Sequence, residues 1–147
     1  MALLRFLAIV VTAVALIPGG AHLFAMPNKL PMSAEDYFTA QQSYRGWALF
    51  GIALFGAIAA NLALGAALWR KGLSAWPALG AAALILATLA IFFAWTFQAN
   101  QATENWTVMP ENWESLRRQW EYSHAANAVL TFAALCFVAS TPARWRG

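Results

Sequence analysis

Four long stretches without a single Asp, Glu, Lys or Arg, at 6–28, 46–69, 72–103 and 125–143, constrain this chain more than anything else in it. Crossing ~30 Å of hydrocarbon at 1.5 Å per residue takes roughly 20 apolar residues, and each stretch supplies them. Four transmembrane helices are therefore expected, at about 3–25, 46–69, 75–97 and 122–140. Composition agrees: 61% of residues are hydrophobic and 10% charged, where soluble domains stand near ~45–50% and ~25%. The predicted fold class is all-α integral membrane, one domain over 1–147. It is a four-helix bundle with extended helix ends and a small polar cap on the outer side. A cleaved signal peptide competes for the first span, because Arg5, an apolar run and Pro18, Gly19 and Gly20 have that shape. The apolar run continues through Leu23, Phe24 and Ala25 with no small-x-small cleavage site, so a retained span is expected. Cys136 is the single cysteine, which excludes a disulfide scaffold, and it is expected as a small buried residue of the last span.

The few charges sort by side. With four spans, the N-terminus, the turn at Arg70 and Lys71 and the C-terminal tail share one face. That face carries Arg5, Arg70, Lys71, Arg144 and Arg146 and no acid. The 27–45 and 98–121 loops share the other face, with the loop cations Lys29, Arg45, Arg117 and Arg118 among all six carboxylates. Lys/Arg asymmetry sets orientation, so both termini are expected in the cytoplasm and both long loops outside, in a bacterial inner membrane. Trp69, Trp76 and Trp145 fit the inner interface; Trp47, Trp95, Trp106, Trp113 and Trp120 mark the outer one or stand above it. The net charge of +3 is thus an orientation signal. No basic run tracks a phosphate backbone, so nucleic acid is not an expected partner. The lipid bilayer and a hydrophobic small molecule are, with a homo-oligomer or a larger membrane complex as further options.

Two helices are expected to rise beyond the bilayer. Ser33 with Asp36 three residues on is a capping-box pattern, so the second helix is expected to start near Ala34. Pro110 and the acids Glu111 and Glu114 suit the start of a last helix running in one piece over 111–140. Gly51, Gly56 and Gly65 are expected to let helices approach closely.

The chemistry-bearing residues crowd towards the outer end. On the last helix Trp113, Arg117, Trp120, His124, Asn127 and Thr131 fall within a sector of about 80°. Glu114 and Glu121 stand at its edge. Spacings of i,i+4 for Arg117 and Glu121, and i,i+3 for Glu121 and His124, allow a charge relay. The stripe reads either as the lining of a cavity or as a snorkelling helix end with ordinary surface pairs. His124 stands where the sequence turns continuously apolar, a depth at which ionisable groups face the bundle interior. His22 stands at the matching level of the first helix. Gln98, Asn100, Gln101 and Asn105 follow the third span beside Trp95 and Trp106. Tyr37, Gln41, Tyr44 and Ala48 share a face of the second helix that would close the cap onto the fourth.

No cofactor is expected. Glu121 and His124 copy the i,i+3 pair of di-iron bundles, which need two such pairs and two further glutamates, and this chain has two histidines in all. His22, His124 and Glu121 would be the candidates for a mononuclear metal, and His22 and His124 for a haem.

The segment 97–127 has Asn100 after an aromatic third span, then Trp113, Glu114, Leu116, Arg117, Trp120, Glu121 and His124 in an Arg-x-x-Trp…His arrangement. It resembles the end of the DUF1772 (anthrone-oxygenase-like) family of four-span membrane proteins. The resemblance covers about the C-terminal third of the chain. It implies an oxidoreductase of cofactor-poor type that oxidises a hydrophobic, ring-containing substrate with dioxygen. The residues that match its pattern are Asn100, Arg117, Trp120 and His124. In that chemistry His124, oriented by Glu121, suits the base that takes a C–H proton. Asn100 and Arg117 suit donors to the resulting enolate. Trp113, Trp120 and Tyr44 suit an aromatic wall for a flat ring, with Gln98, Trp95 and Asn127 around it. The alternative is a non-enzymatic accessory subunit or a lipid- or quinone-binding protein using the same stripe.

Overall fold

The computed structural model describes residues 1–141. Arg144, Trp145 and Arg146, read above as part of the basic end, lie outside the described residues. The described chain is helical throughout: α1 (Ala2–Lys29), α2 (Ala34–Gln41), α3 (Gly51–Trp69), α4 (Trp76–Ile91), α5 (Phe97–Ala102) and α6 (Trp113–Ala139). Four apolar helical segments are long enough to span a bilayer: Ala2–Lys29, Trp47–Trp69, Trp76–Ala102 and Trp113–Ala139. The protein is an integral membrane four-helix bundle. Helices α1, α3, α4 and α6 pack in a closed ring in the order α1–α3–α4–α6.

The bundle is built inside out relative to a soluble one. Its core is small and apolar, with Ala8, Ala15, Ala57, Ala78, Ala81 and Ala134 beside Leu64, Ile85 and Val138. The large side chains Phe24, Leu49, Ile52 and Phe55 face outwards. Lipid tails are as apolar as leucine, so helices associate through close packing of small residues rather than by hiding large ones. A Cβ on Gly65 would lie 2.6 Å from Leu79, and one on Gly80 would lie 2.8 Å from Phe137. Gly51, expected at such a contact, faces open space. Cys136 is exposed rather than buried, because it lies on the outward face of α6. At mid-span Asn61 donates to the Thr12 hydroxyl at 2.9 Å, tying α3 to α1.

Helices α1 and α6 run antiparallel in one continuous register. Arg5 donates to the Ala139 carbonyl at 2.8 Å and to Thr141 Oγ1 at 3.0 Å, satisfying the end of α6. Gly19 faces the backbone of Ala128. Further along come His22 with His124, Lys29 with Glu121, and Arg117 with the Met32 carbonyl. With 28 residues, α1 is roughly 42 Å long at 1.5 Å per residue, longer than the ~30 Å hydrocarbon layer. The excess is about two turns of helix. The last turns of α1 carry the site.

Three expectations about element limits change. The second helix does start at Ala34, with Ser33 accepting from the Asp36 amide at 3.2 Å. It does not continue into the membrane: two 3₁₀ turns, Gln42–Tyr44 and Trp47–Phe50, interrupt it around Gly46, whose φ of 87° is left-handed. A right-handed helix cannot pass through that conformation, so α2 folds over the bundle end as a separate piece. The third span, expected to end near 97, continues to Ala102 through one π-helical turn, Phe92–Thr96. The last helix begins at Trp113, because residues 110–112 form a turn instead of its first residues.

Candidate functional site

The capped end holds an aromatic cluster of Tyr37, Trp106, Leu116 and Trp120 around Ala99. Within it lies a buried ion pair. Lys29 Nζ stands 2.8 Å from Glu121 Oε1, and the two side chains are 4% and 0% exposed. Tyr37 donates its hydroxyl to the same carboxylate oxygen at 3.0 Å, and Gln41 donates to the Tyr37 oxygen. The Lys29 ammonium also lies 4.9 Å from the ring centres of both Tyr44 and Trp120. Burial, and then the charge of Glu121, push the Tyr37 phenol well above its ordinary range, and the Tyr44 phenol in the same direction. Tyr37 is therefore a neutral donor at physiological pH.

One turn deeper, His22 and His124 meet with ring centres 4.3 Å apart. Trp120 lies tilted against His124 at 4.1 Å and edge-on to His22 at 4.8 Å. Tyr44 and Trp47 close the other side of His22, at 4.4 and 5.4 Å. The two histidines, expected at matching depths, are in contact. With the imidazoles this close, no space separates them for a haem plane. Among the described residues no three His, Cys, Asp or Glu side chains are grouped to hold a metal.

The relay through Arg117, Glu121 and His124 is not what the bundle builds. Arg117 donates to the Met32 carbonyl at 2.7 Å and lies over the rings of Trp113 and Tyr37. Glu121 turns to α1 and α2, and His124 to His22. Among the described residues no hydrogen bond joins Glu121 to His124. The sequence reading missed Lys29, taken there as a loop cation. The signal was present, since Lys29 follows His22 by seven residues and so shares its helix face.

Asn100 has a definite task. Its Oδ1 accepts from the Trp120 indole at 2.9 Å and from the Trp106 indole at 3.2 Å. Trp106 reaches it through three consecutive left-handed residues, Glu104, Asn105 and Trp106, with φ of 47°, 58° and 66°. Such a conformation costs about 1–2 kcal/mol per residue. It is held by Thr103, whose hydroxyl accepts from the Trp106 amide, and by Gln42, which donates to the Trp106 carbonyl at 2.8 Å. Trp106 and Trp120 are thus buried parts of the cap, each 4% exposed.

Of the remaining candidates, Trp113 is half-buried in the cluster, while Gln98 and Trp95 are exposed. Trp95 faces the side of the bundle away from the histidines and accepts from Gln119 through its carbonyl. Asn127 is half-buried one turn below His124. The stripe on α6 is therefore mostly packed against α1 and α2. The capped end still holds buried polar atoms without a hydrogen-bond partner among the described residues: His22 Nδ1 on α1, Gln41 Oε1 on α2, and Arg117 Nε, Glu121 Oε2 and Asn127 Oδ1 on α6. Native interiors leave few such atoms, and their concentration at one end of a bundle marks a site. No family model, curated protein or solved structure matches the chain.

Proposed function

We propose that the capped end binds a flat, hydrophobic ring compound and that the protein is an anthrone-oxygenase-like oxidoreductase. The observation that carries this reading is the His22–His124 pair, set in a wall of Trp120, Tyr44 and Trp47 at the membrane boundary. A membrane-dissolved ring would reach the wall from the bilayer, and the buried, unpartnered His22 Nδ1 offers it a polar contact. His124 is the base in this scheme, and removal of a C–H proton leaves an enolate. The Lys29 ammonium, held 4.9 Å from the Trp120 and Tyr44 ring centres, supplies the cation for that enolate. Arg117 and Asn100 position the wall, Arg117 through one guanidinium nitrogen on the Met32 carbonyl and Asn100 through Oδ1 on Trp106 and Trp120. The overall reaction balances as anthrone plus dioxygen giving anthraquinone plus water. The substrate CH2 loses four electrons to become a carbonyl, and dioxygen takes them. The charge asymmetry supports a capped end facing outwards in a bacterial inner membrane.

Purified protein with anthrone is expected to consume one dioxygen per quinone formed, with His124→Ala and Lys29→Met each slowing it at least ~100-fold. Unchanged turnover in both variants sinks the catalytic reading. A second reading, a non-enzymatic accessory subunit or lipid- or quinone-binding protein, draws on the internal bonding of Arg117, Asn100 and Lys29. It expects stable co-purification with a larger membrane complex.

A further inference from the structure

On the face of α6 turned away from the histidines, an open groove of about 690 Å³ runs between α6 and the π-helical turn after α4. Its side chains change character along its length. At the upper end stand Arg118 and Ser115, in the middle Trp95 and Tyr122, and at the lower end Ile91 and Ala126. Arg118, Tyr122 and Ala126 are successive i,i+4 neighbours, so this gradient extends over about 12 Å of helix rise. It passes from a cation through two amphipathic rings to bare hydrocarbon, in the sense in which a bilayer itself changes from headgroup to chain. One wall of the groove is the π turn itself, through Trp95, and Gln119 fixes that wall by donating to the Trp95 carbonyl at 2.9 Å. The Ser123 hydroxyl bonds Thr96 across the floor at 2.7 Å. Arg118 is 58% exposed, with Glu114 as its nearest acid at 3.9 Å, too long for a tight pair. The hydroxyls of Ser115 and Tyr122 have no protein partner among the described residues.

We infer that this groove is a binding site for one anionic phospholipid. Its phosphate sits between Arg118 and Ser115, its glycerol region lies beside Tyr122 and Trp95, and one acyl chain runs down over Ala126 and Ile91. The volume falls within the ~300–1,000 Å³ of small-molecule sites, enough for a headgroup and the upper part of one chain. Charge complementarity selects the anion, and the aromatic pair places the ester level.

The test is native mass spectrometry of the full chain released from nanodiscs of equal phosphatidylglycerol and phosphatidylcholine. The wild type is expected to retain one phosphatidylglycerol in preference to phosphatidylcholine. Arg118→Gln is expected to reduce that preference about fivefold, and Glu114→Gln to strengthen it. Ala126→Phe, on an exposed position, fills the lower groove and is expected to lower retention of both lipids. Equal retention of the two lipids by the wild type overturns the site, as does an Arg118→Gln variant that keeps the preference. Loss in Arg118→Gln with full retention in Ala126→Phe also overturns it, since that is charge attraction without groove occupancy. Arg118 is more than half exposed, so its variant tests the proposal in a folded protein.

Discussion

Lys29 closes α1 and Glu121 lies in the third turn of α6, and their charges meet 2.8 Å apart with almost no exposure. The contact joins two helices whose register is already set by Gly19 against Ala128 and by His22 against His124. It also brings in α2, because Tyr37 donates to the same carboxylate oxygen. The cap is therefore organised around one buried charge pair, with aromatic rings excluding water from it.

A buried pair of this kind is costly to break and cheap to replace. Lys29→Met or Glu121→Gln alone is expected to destabilise the protein by about 3–5 kcal/mol, because each leaves the other partner's polar group buried without its match. The double variant Lys29→Met with Glu121→Leu is expected to recover most of that loss. Reversible unfolding in mixed micelles measures all three. A double variant as unstable as the sum of the singles contradicts this account.

Asn100 accepts from two buried indoles through one oxygen. Asn100→Leu orphans both N–H groups, at about 1–3 kcal/mol each, and should loosen Trp106 and Trp120. Asn100→Asp keeps an oxygen acceptor and is expected to retain more of the stability. Tryptophan emission shifted to the red in the leucine variant, and less so in the aspartate one, is the expected reading.

The pH dependence follows from Tyr37. Its pKa is raised in the folded state above the ordinary value near 10, first by burial and then by Glu121. The folded protein thus holds the phenol proton more tightly than the unfolded chain does. The resulting stability is fully present below about pH 10 and is lost as pH rises above it. Subtracting the phenolate absorbance of Tyr37→Phe from that of the wild type isolates this group. It should ionise only with unfolding; an ordinary titration in the folded protein contradicts the burial.

Deep in the span the scale is different. Asn61 and Thr12 share a hydrogen bond between α3 and α1, and Asn61 also donates to the Ala57 carbonyl. Asn61→Leu is expected to cost only ~0.6–1.7 kcal/mol, since polar groups of a membrane helix find partners in the dissociated state as well. A loss as large as that of Glu121→Gln would show that the ion pair is not the dominant polar contact.

The number of spans, their rough limits and the crowding of polar groups at one end were legible in the residues themselves. These depend on local quantities: apolar run length, capping side chains and helical periodicity. Depth put His22 and His124 at one level, but that their rings touch was decided by the packing of α1 on α6. The break at Gly46 was harder to read, since a left-handed glycine leaves no trace in apolar periodicity. The three left-handed residues from Glu104 to Trp106 were invisible for a stronger reason: only the contacts of Thr103, Gln42 and Asn100 hold them there.

What the sequence alone determined is that the chain spans the membrane four times, because free energies of transfer depend on each segment's own composition. The partners of Glu121, Arg117 and Asn100 were decided only in the tertiary structure. Spacing along α6 placed Glu121 within reach of both Arg117 and His124, yet neither takes it. The antiparallel register of α1 delivers Lys29 to that carboxylate, and α2 delivers Tyr37. A buried charge is stabilised by the strongest group that packing brings to it, and packing joins residues that are far apart in the chain.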